Sequence, residues 1–192
     1  SLPVKGIPEL VALAKRRPGE ITYGSPGSGT TSHLTLALFE AAAKVTLTHV
    51  PYKGGAVASL TDLIGGQIFL IAEATPAVLP HVKAGKMRAI GVSSVTRIPF
   101  LPDVASLHEQ GIKDFDVTGW TGIVAPIGTP EPILARLSSE ILKILNTPEI
   151  RKRLEDMGTV TVGDSREHFG AALKTELAQW AYAVKLAGVT AQ

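Results

Sequence analysis

Cysteine is absent from the 192 residues, so neither a disulfide framework nor a thiolate metal site can hold this chain together. Aromatic residues are scarce at 5%, and the 19 Lys and Arg, set against 17 Asp and Glu, form no cluster. A nucleic-acid binder needs a basic stripe and usually stacking rings, so no nucleic-acid partner is expected. No apolar run approaches the ~20 residues that cross a bilayer. No signal peptide is visible at the start, which reads SLPVK, and the chain is expected to be a mature or truncated piece of something longer. The histidines have no partners at metal-ligand spacing, so no metal or other cofactor is expected.

What is present is aliphatic. Hydrophobic residues make up 45% of the chain, dominated by Ala, Val, Leu and Ile, as in proteins whose helices cover both faces of a parallel sheet. The most informative stretch is residues 20–34. It runs from a short β-type segment at Ile21, Thr22 and Tyr23 through Gly24, Gly27 and Gly29 into an apolar-periodic helix opening near Ser32. Such a turn directs unpaired backbone N–H groups and the positive end of a helix dipole at one spot, which binds an anion. Hydroxyls at Ser25, Ser28, Thr30, Thr31 and Ser32 add donors. No charged residue intervenes, so the cradle suits a carboxylate or phosphate held by neutral groups.

Familiar glycine loops fit this stretch poorly. Gly24 and Gly29 have P-loop spacing, but Thr30 stands where the phosphate-gripping lysine belongs. Gly27 and Gly29 begin a dinucleotide fingerprint, yet Ser32 replaces its third glycine and no ribose-binding acid follows. The nucleophile elbow GxSxG is missing as well.

The remaining sequence predicts helices over 8–15, 34–44, 56–64, 76–84 and 106–110. Strands are expected at 45–50, 68–72 and 87–92, giving a β-α-β-α-β-α-β rhythm with short links. In an open parallel sheet the ligand sits beyond the carboxyl ends of the strands. The loop at 24–33, the turn at 51–55 and residues Glu73 to Thr75 all fall at that edge. Past residue 118 the pattern changes to a strand at 117–125 and another at 159–162. Between and after them come a helix capped by Thr129 with Pro130 at its first position, a helix over 148–157, and a last helix from Ser165. That last helix is expected to bury Phe169, Leu173, Leu177, Trp180 and Val184.

Several runs together, ITYGSPGSGTTSHL, HVPYKGG, LTDLIGGQ, LPHVKAGKMRAI, the pair Gly119 and Trp120, and APIGTP, resemble the solute-binding receptors of tripartite tricarboxylate transporters, the Bug or TctC type. The resemblance covers essentially the whole chain in the family's order. It implies an α/β, periplasmic-binding-protein-like (Venus flytrap) fold, with one complete parallel-sheet lobe and a mostly helical C-terminal remainder of the other. Residues 1–118 would be the second lobe and 119–192 the returning part of the first, whose opening portion this chain would lack. The implied function is that of a periplasmic, non-catalytic receptor that binds a small carboxylate, di- or tricarboxylate or amino-acid-like, and hands it to membrane transporter subunits.

By the same resemblance the loop is one jaw of a carboxylate pincer. Ser28, Thr30, Thr31 and His33 are carried over first, Gly27 and Gly29 as backbone donors, and Ser25 and Tyr52 as further lining. The family usually has Asp where this chain has Glu73, one methylene longer, which would favour a ligand with an amine or hydroxyl. Two other readings of the residues stay open. One is a hydrolase using Ser28 or Ser32 with His33, weakened because neighbouring side chains at a helix start do not face each other. The other is an interaction fragment that self-associates through its uncovered helical part.

Overall fold

Strand β1 (Thr22–Ser25) is the middle of a three-stranded parallel sheet, flanked by β2 (Thr48–Pro51) and β3 (Leu70–Ile71). The computed structural model describes residues 2–189. Helix α1 (Ile7–Arg16) precedes the sheet, α2 (Thr31–Ala43) and α3 (Gly55–Ile64) make the crossovers, and α4 (Thr75–Lys83) follows it. Helices α5 (Glu131–Leu145), α6 (Pro148–Asp156) and α7 (Arg166–Leu186) complete the order.

The register aligns Tyr23 with His49 and Ser25 with Pro51. Side chains alternate across a strand, so Tyr23, Ser25 and His49 share one face while Gly24 belongs to the other. The crossover from β1 to β2 and the one from β2 past β1 to β3 run in opposite directions, and right-handed crossovers then put α2 and α3 on opposite faces. Gly24 is where α3 comes closest. A Cβ there would stand 2.5 Å from Ile68 Cδ1 and 3.1 Å from both Ser59 Cβ and Tyr52 Cε2, so only glycine fits.

Contacts divide the chain into two units, Ser1–Gly119 with Trp180–Gln192, and Trp120–Gln179. The first holds the core: Ile7, Leu10, Leu13 and Ala14 from α1, Leu34, Leu36, Leu38 and Phe39 from α2, Tyr23 from β1, and Leu107, Phe115, Val117 and Ala183. In the second, neither α5 nor α6 has a buried residue, although the apolar spacing of α5 is helical throughout. Ile133 and Leu137 on α5 are about half exposed and Leu177 on α7 is 68% exposed. Trp120 packs edge-on against Phe169 and donates to Glu176 at 2.6 Å.

Six sequence expectations fail. Residues 87–92 form no strand, leaving one isolated bridge between Val92 and Ser106. Residues 117–125 and 159–162 form no strand either: the Val117 amide donates to the Ser93 carbonyl at 2.9 Å, but Ile123, Val124 and Val162 are about three-quarters exposed. β-propensity makes a strand only where a neighbouring strand takes the hydrogen bonds. Residues 106–110 are bridge and turn rather than helix. The cap at Thr129 is also absent: its hydroxyl donates to the Pro126 carbonyl and Pro130 caps α5. Of α7, Ala183 is the buried residue; of the five anticipated, Trp180 and Val184 are partly buried against the core and Leu177 is exposed. No helix among the described residues is long and apolar enough to cross a membrane.

Candidate functional site

All three strands end at the same sheet edge. There β1 gives way to the loop 26–30, β2 to Tyr52–Gly54 and β3 to Glu73. The order β2-β1-β3 puts the change of winding direction between β1 and β3, where open α/β sheets place their ligands.

The loop turns sharply enough to need glycine at Gly27, with φ 153°, and at Gly29, with φ 80°. Most of its polar groups are engaged with one another. Ser25 is fully buried, and its hydroxyl oxygen accepts from the Gly27 amide at 3.2 Å and lies 2.7 Å from His49 Nε2. The Gly27 carbonyl already accepts the Thr30 hydroxyl at 2.7 Å and the Thr30 amide at 3.3 Å. The Ser25 hydroxyl donates to the same carbonyl at 3.0 Å, so its oxygen faces both the Gly27 amide and His49 Nε2. Thr30 caps α2, its oxygen accepting the His33 amide at 3.5 Å. The Gly29 amide donates to His33 Nδ1 at 3.0 Å.

Three backbone donors remain. The amides of Thr31 and Ser32 open α2 and have no intrahelical acceptor, and the Ser28 amide has no backbone or side-chain acceptor among the described residues. Together with the exposed Ser28 and Thr31 side chains they form a neutral, outward-facing donor set at the positive end of α2.

Below it lies a stack of rings. His33 is 6% exposed and lies flat on His49, with centroids 3.8 Å apart and planes 7° apart, and Tyr23 stacks on His49 at 5.0 Å. His33 accepts the Gly29 amide at Nδ1, which requires the neutral form of that ring. Burial pushes the His33 pKa below its usual value, and burial together with the His33 neighbour takes His49 down to about 4. Burial also pushes the Tyr23 phenol up, with the Glu40 carboxylate adding to the shift. Burial raises Glu40 as well, opposed by the Leu47 amide, which donates to it at 2.6 Å. These rings line an open pocket of about 400 Å³ bordered by Ala37, Val45, Leu47 and the end of α7 at Leu186 and Ala187.

Across the edge, Ser32 donates its hydroxyl to Glu73 Oε1 at 2.8 Å, which fastens a carboxylate beside the first turn of α2. Tyr52 packs over Gly24 and donates to Asp62 at 2.8 Å. Burial and the Asp62 carboxylate push its phenol up to about 12.

The nine anticipated residues thus fall into two groups. Ser28, Thr31 and Glu73 stand at the edge, with Tyr52 beside them. Ser25, Gly27, Gly29, Thr30 and His33 build the loop itself. No hydrogen bond joins Ser28 or Ser32 to His33 among the described residues; the Ser–His pair that does form is Ser25 with His49, and its serine is buried. Glu40 escaped the sequence reading, because its contacts with Leu47 and Tyr23 exist only once α2 lies on the sheet.

The model of the tripartite tricarboxylate transporter family receptor (TctC) matches residues 1–188. A UPF0065 protein from the tcbD-tcbE intergenic region of Pseudomonas sp. (strain P51) is 35% identical over 92% of this chain and 52% of its own length. A R. palustris protein solved with adipate superposes with a TM-score of 0.89 at 32% identity, covering 99% of this chain and 63% of that one. The periplasmic binding protein BugD gives 0.85 at 32% identity, with 100% and 64% covered. The chain therefore spans about half the length of the first relative and under two thirds of both structures. Over the shared part its α/β architecture is that of periplasmic binding proteins.

Proposed function

We propose, because this chain belongs to the tripartite tricarboxylate transporter receptor family, that it receives a small carboxylate at the N-terminus of α2. The family is one of solute-binding receptors, and the R. palustris relative was solved with adipate. One observation carries the reading to these residues: the Ser28, Thr31 and Ser32 amides have no acceptor among the described residues at the edge where three parallel strands end. Charge-assisted hydrogen bonds contribute roughly 1.5 to 3 kcal/mol each. Three of them, with ~0.3 to 1 kcal/mol from the helix dipole, approach the ~8 kcal/mol of micromolar binding before ordering costs are subtracted. Further groups are needed for tight binding, and Ser28 and Thr31 supply hydroxyls.

Glu73 sharpens the ligand class. Its carboxylate beside the cradle disfavours a second bare anion there and favours an amine or hydroxyl next to the bound carboxylate. We read residues 1–118 as the second lobe and 119–192 as the returning part of the first, in a periplasmic protein that delivers its ligand to the transporter's membrane subunits. The uncovered apolar faces of α5 and α7 favour self-association as a further property. Sedimentation of the wild type and of Leu137→Lys tests this: a larger species that the substitution dissociates is expected, and a monomer at all concentrations refutes it.

The function is tested by thermal shift with adipate, malate, aspartate and a neutral diamide control. Stabilisation by at least one carboxylate and none by the diamide is expected. No shift with any carboxylate would sink the receptor reading. The hydrolase reading fares worse on geometry, because the Ser32 hydroxyl is given to Glu73 and the His33 ring to Gly29.

A further inference from the structure

The loop's free amides are set in place by a ring that would not itself touch the ligand. Gly29 lies between Ser28, whose amide is free, and Thr30, which caps the helix carrying the other two donors. Its own N–H is fixed on His33 Nδ1 at 3.0 Å, and its φ of 80° holds the turn that separates them. His33 cannot swing away, because it is buried and stacked on His49, which Ser25 anchors in turn. Ser25 Oγ also accepts the Gly27 amide, so both glycines of the loop are tied to the same pair of histidines.

We propose that His33 is a positioning residue for the anion cradle: its neutral ring pins the Gly29 amide, and proton uptake by the His33–His49 pair releases the pin and weakens carboxylate binding. This rests on the reading of the loop as a carboxylate site. A protonated Nδ1 becomes a donor facing the Gly29 N–H, so the bond is lost rather than weakened. A second charge on His49, with ring centroids 3.8 Å apart, adds repulsion.

The groups that face the pair are few. They are Tyr23 from β1, Ser25 at the end of β1 and Glu40 from α2, while Val45, Leu47, Leu186 and Ala187 border the pocket with apolar atoms. Glu40 is the one carboxyl group among these lining residues. It already accepts the Leu47 amide and interacts with Tyr23, and its own burial favours the neutral acid. Burial likewise holds both imidazoles below their usual range, so the pin is intact at neutral pH.

The test uses adipate titrated calorimetrically into the wild type, His33→Asn and His33→Leu between pH 7.5 and 4.5. Asn Oδ1 occupies the place of Nδ1 and accepts a hydrogen bond but does not titrate. Comparing the wild type with His33→Asn cancels the ionisation of adipate itself. Loss of one hydrogen bond corresponds to about a fivefold drop in affinity. The wild type should weaken by that factor relative to His33→Asn as the pH falls, and His33→Leu should be weak throughout. A His33→Asn protein that loses affinity in parallel with the wild type overturns the proposal. Should adipate fail to bind at pH 7.5, the pin is judged separately from the carboxylate reading, on the ligand-free protein. There the Gly29 amide resonance should move in step with the His33 ring titration and stay still in His33→Asn. A Gly29 signal indifferent to that titration overturns the pin.

Discussion

Gly24→Ala tests the packing that brings α3 and the Tyr52 turn to the sheet edge. The added methyl would lie 2.5 Å from Ile68 Cδ1, well inside contact distance, and 3.1 Å from Ser59 Cβ and Tyr52 Cε2. None of these neighbours yields freely. Ile68 is 4% exposed, Ser59 is fully buried, and the Tyr52 hydroxyl is tied to Asp62. Overpacking of this kind costs about 1 to 3 kcal/mol, offset by ~0.4 to 1 kcal/mol from the stiffer unfolded chain. A net loss of about 1 to 2 kcal/mol lowers Tm by roughly 2 to 8 °C in a chain of this size. Ile68→Val removes the atom in the worst clash and by itself costs about 0.5 to 1.5 kcal/mol. The double variant should therefore lose less than the sum of the two single losses, by at least ~0.5 kcal/mol, with the contacts to Ser59 and Tyr52 limiting the recovery. Urea unfolding followed by circular dichroism measures all three. Additive losses, or a Gly24→Ala protein as stable as the wild type, would refute the packing argument.

Other outcomes follow from the same geometry. Lowered histidine pKa values mean that the unfolded chain binds more protons between the folded values and the ordinary 6.5, so stability should be full above about pH 6.5 and fall as the pH drops toward 4. A denaturation midpoint that is flat over that window in the wild type would contradict the buried neutral pair. Tyr52→Phe removes the hydroxyl donated to Asp62 and should cost about 0.5 to 1 kcal/mol, the lower part of the range for a partly exposed bond; an unchanged urea midpoint would show the bond to be idle. Glu73→Gln keeps an acceptor for Ser32 but removes a negative charge from the start of α2. Stability should fall by ~0.3 to 1 kcal/mol, while adipate affinity should rise about fivefold for a repulsion of about 1 kcal/mol. Calorimetry showing weaker adipate binding would instead place Glu73 among the groups that favour the ligand.

Helices α1 to α4 and strands β1 to β3 were legible because each writes its own signal along the chain. The glycines mark the entry to α2, and the apolar spacing of α1, α2 and α3 marks their length. The family was legible too, from runs of residues kept in order. Helix α5 is where the signal misleads: its spacing promises a buried face, yet Ile133 and Leu137 stay half exposed. Periodicity reports which side of a helix is apolar and says nothing of what lies opposite. Residues 117–125 fail for the same reason, since a strand's hydrogen bonds belong to its partner.

By itself the sequence determined that a neutral, glycine-shaped donor loop opens a helix at the end of a strand, because turn geometry and capping are written over a few adjacent residues. Only the tertiary structure decided which donors stay free. The β1–β2 register sets His49 beside Tyr23, α2 brings His33 down upon it, and that ring takes the Gly29 amide, leaving those of Ser28, Thr31 and Ser32. These pairings join residues far apart in the chain, and such contacts exist only once the sheet has brought its strands together.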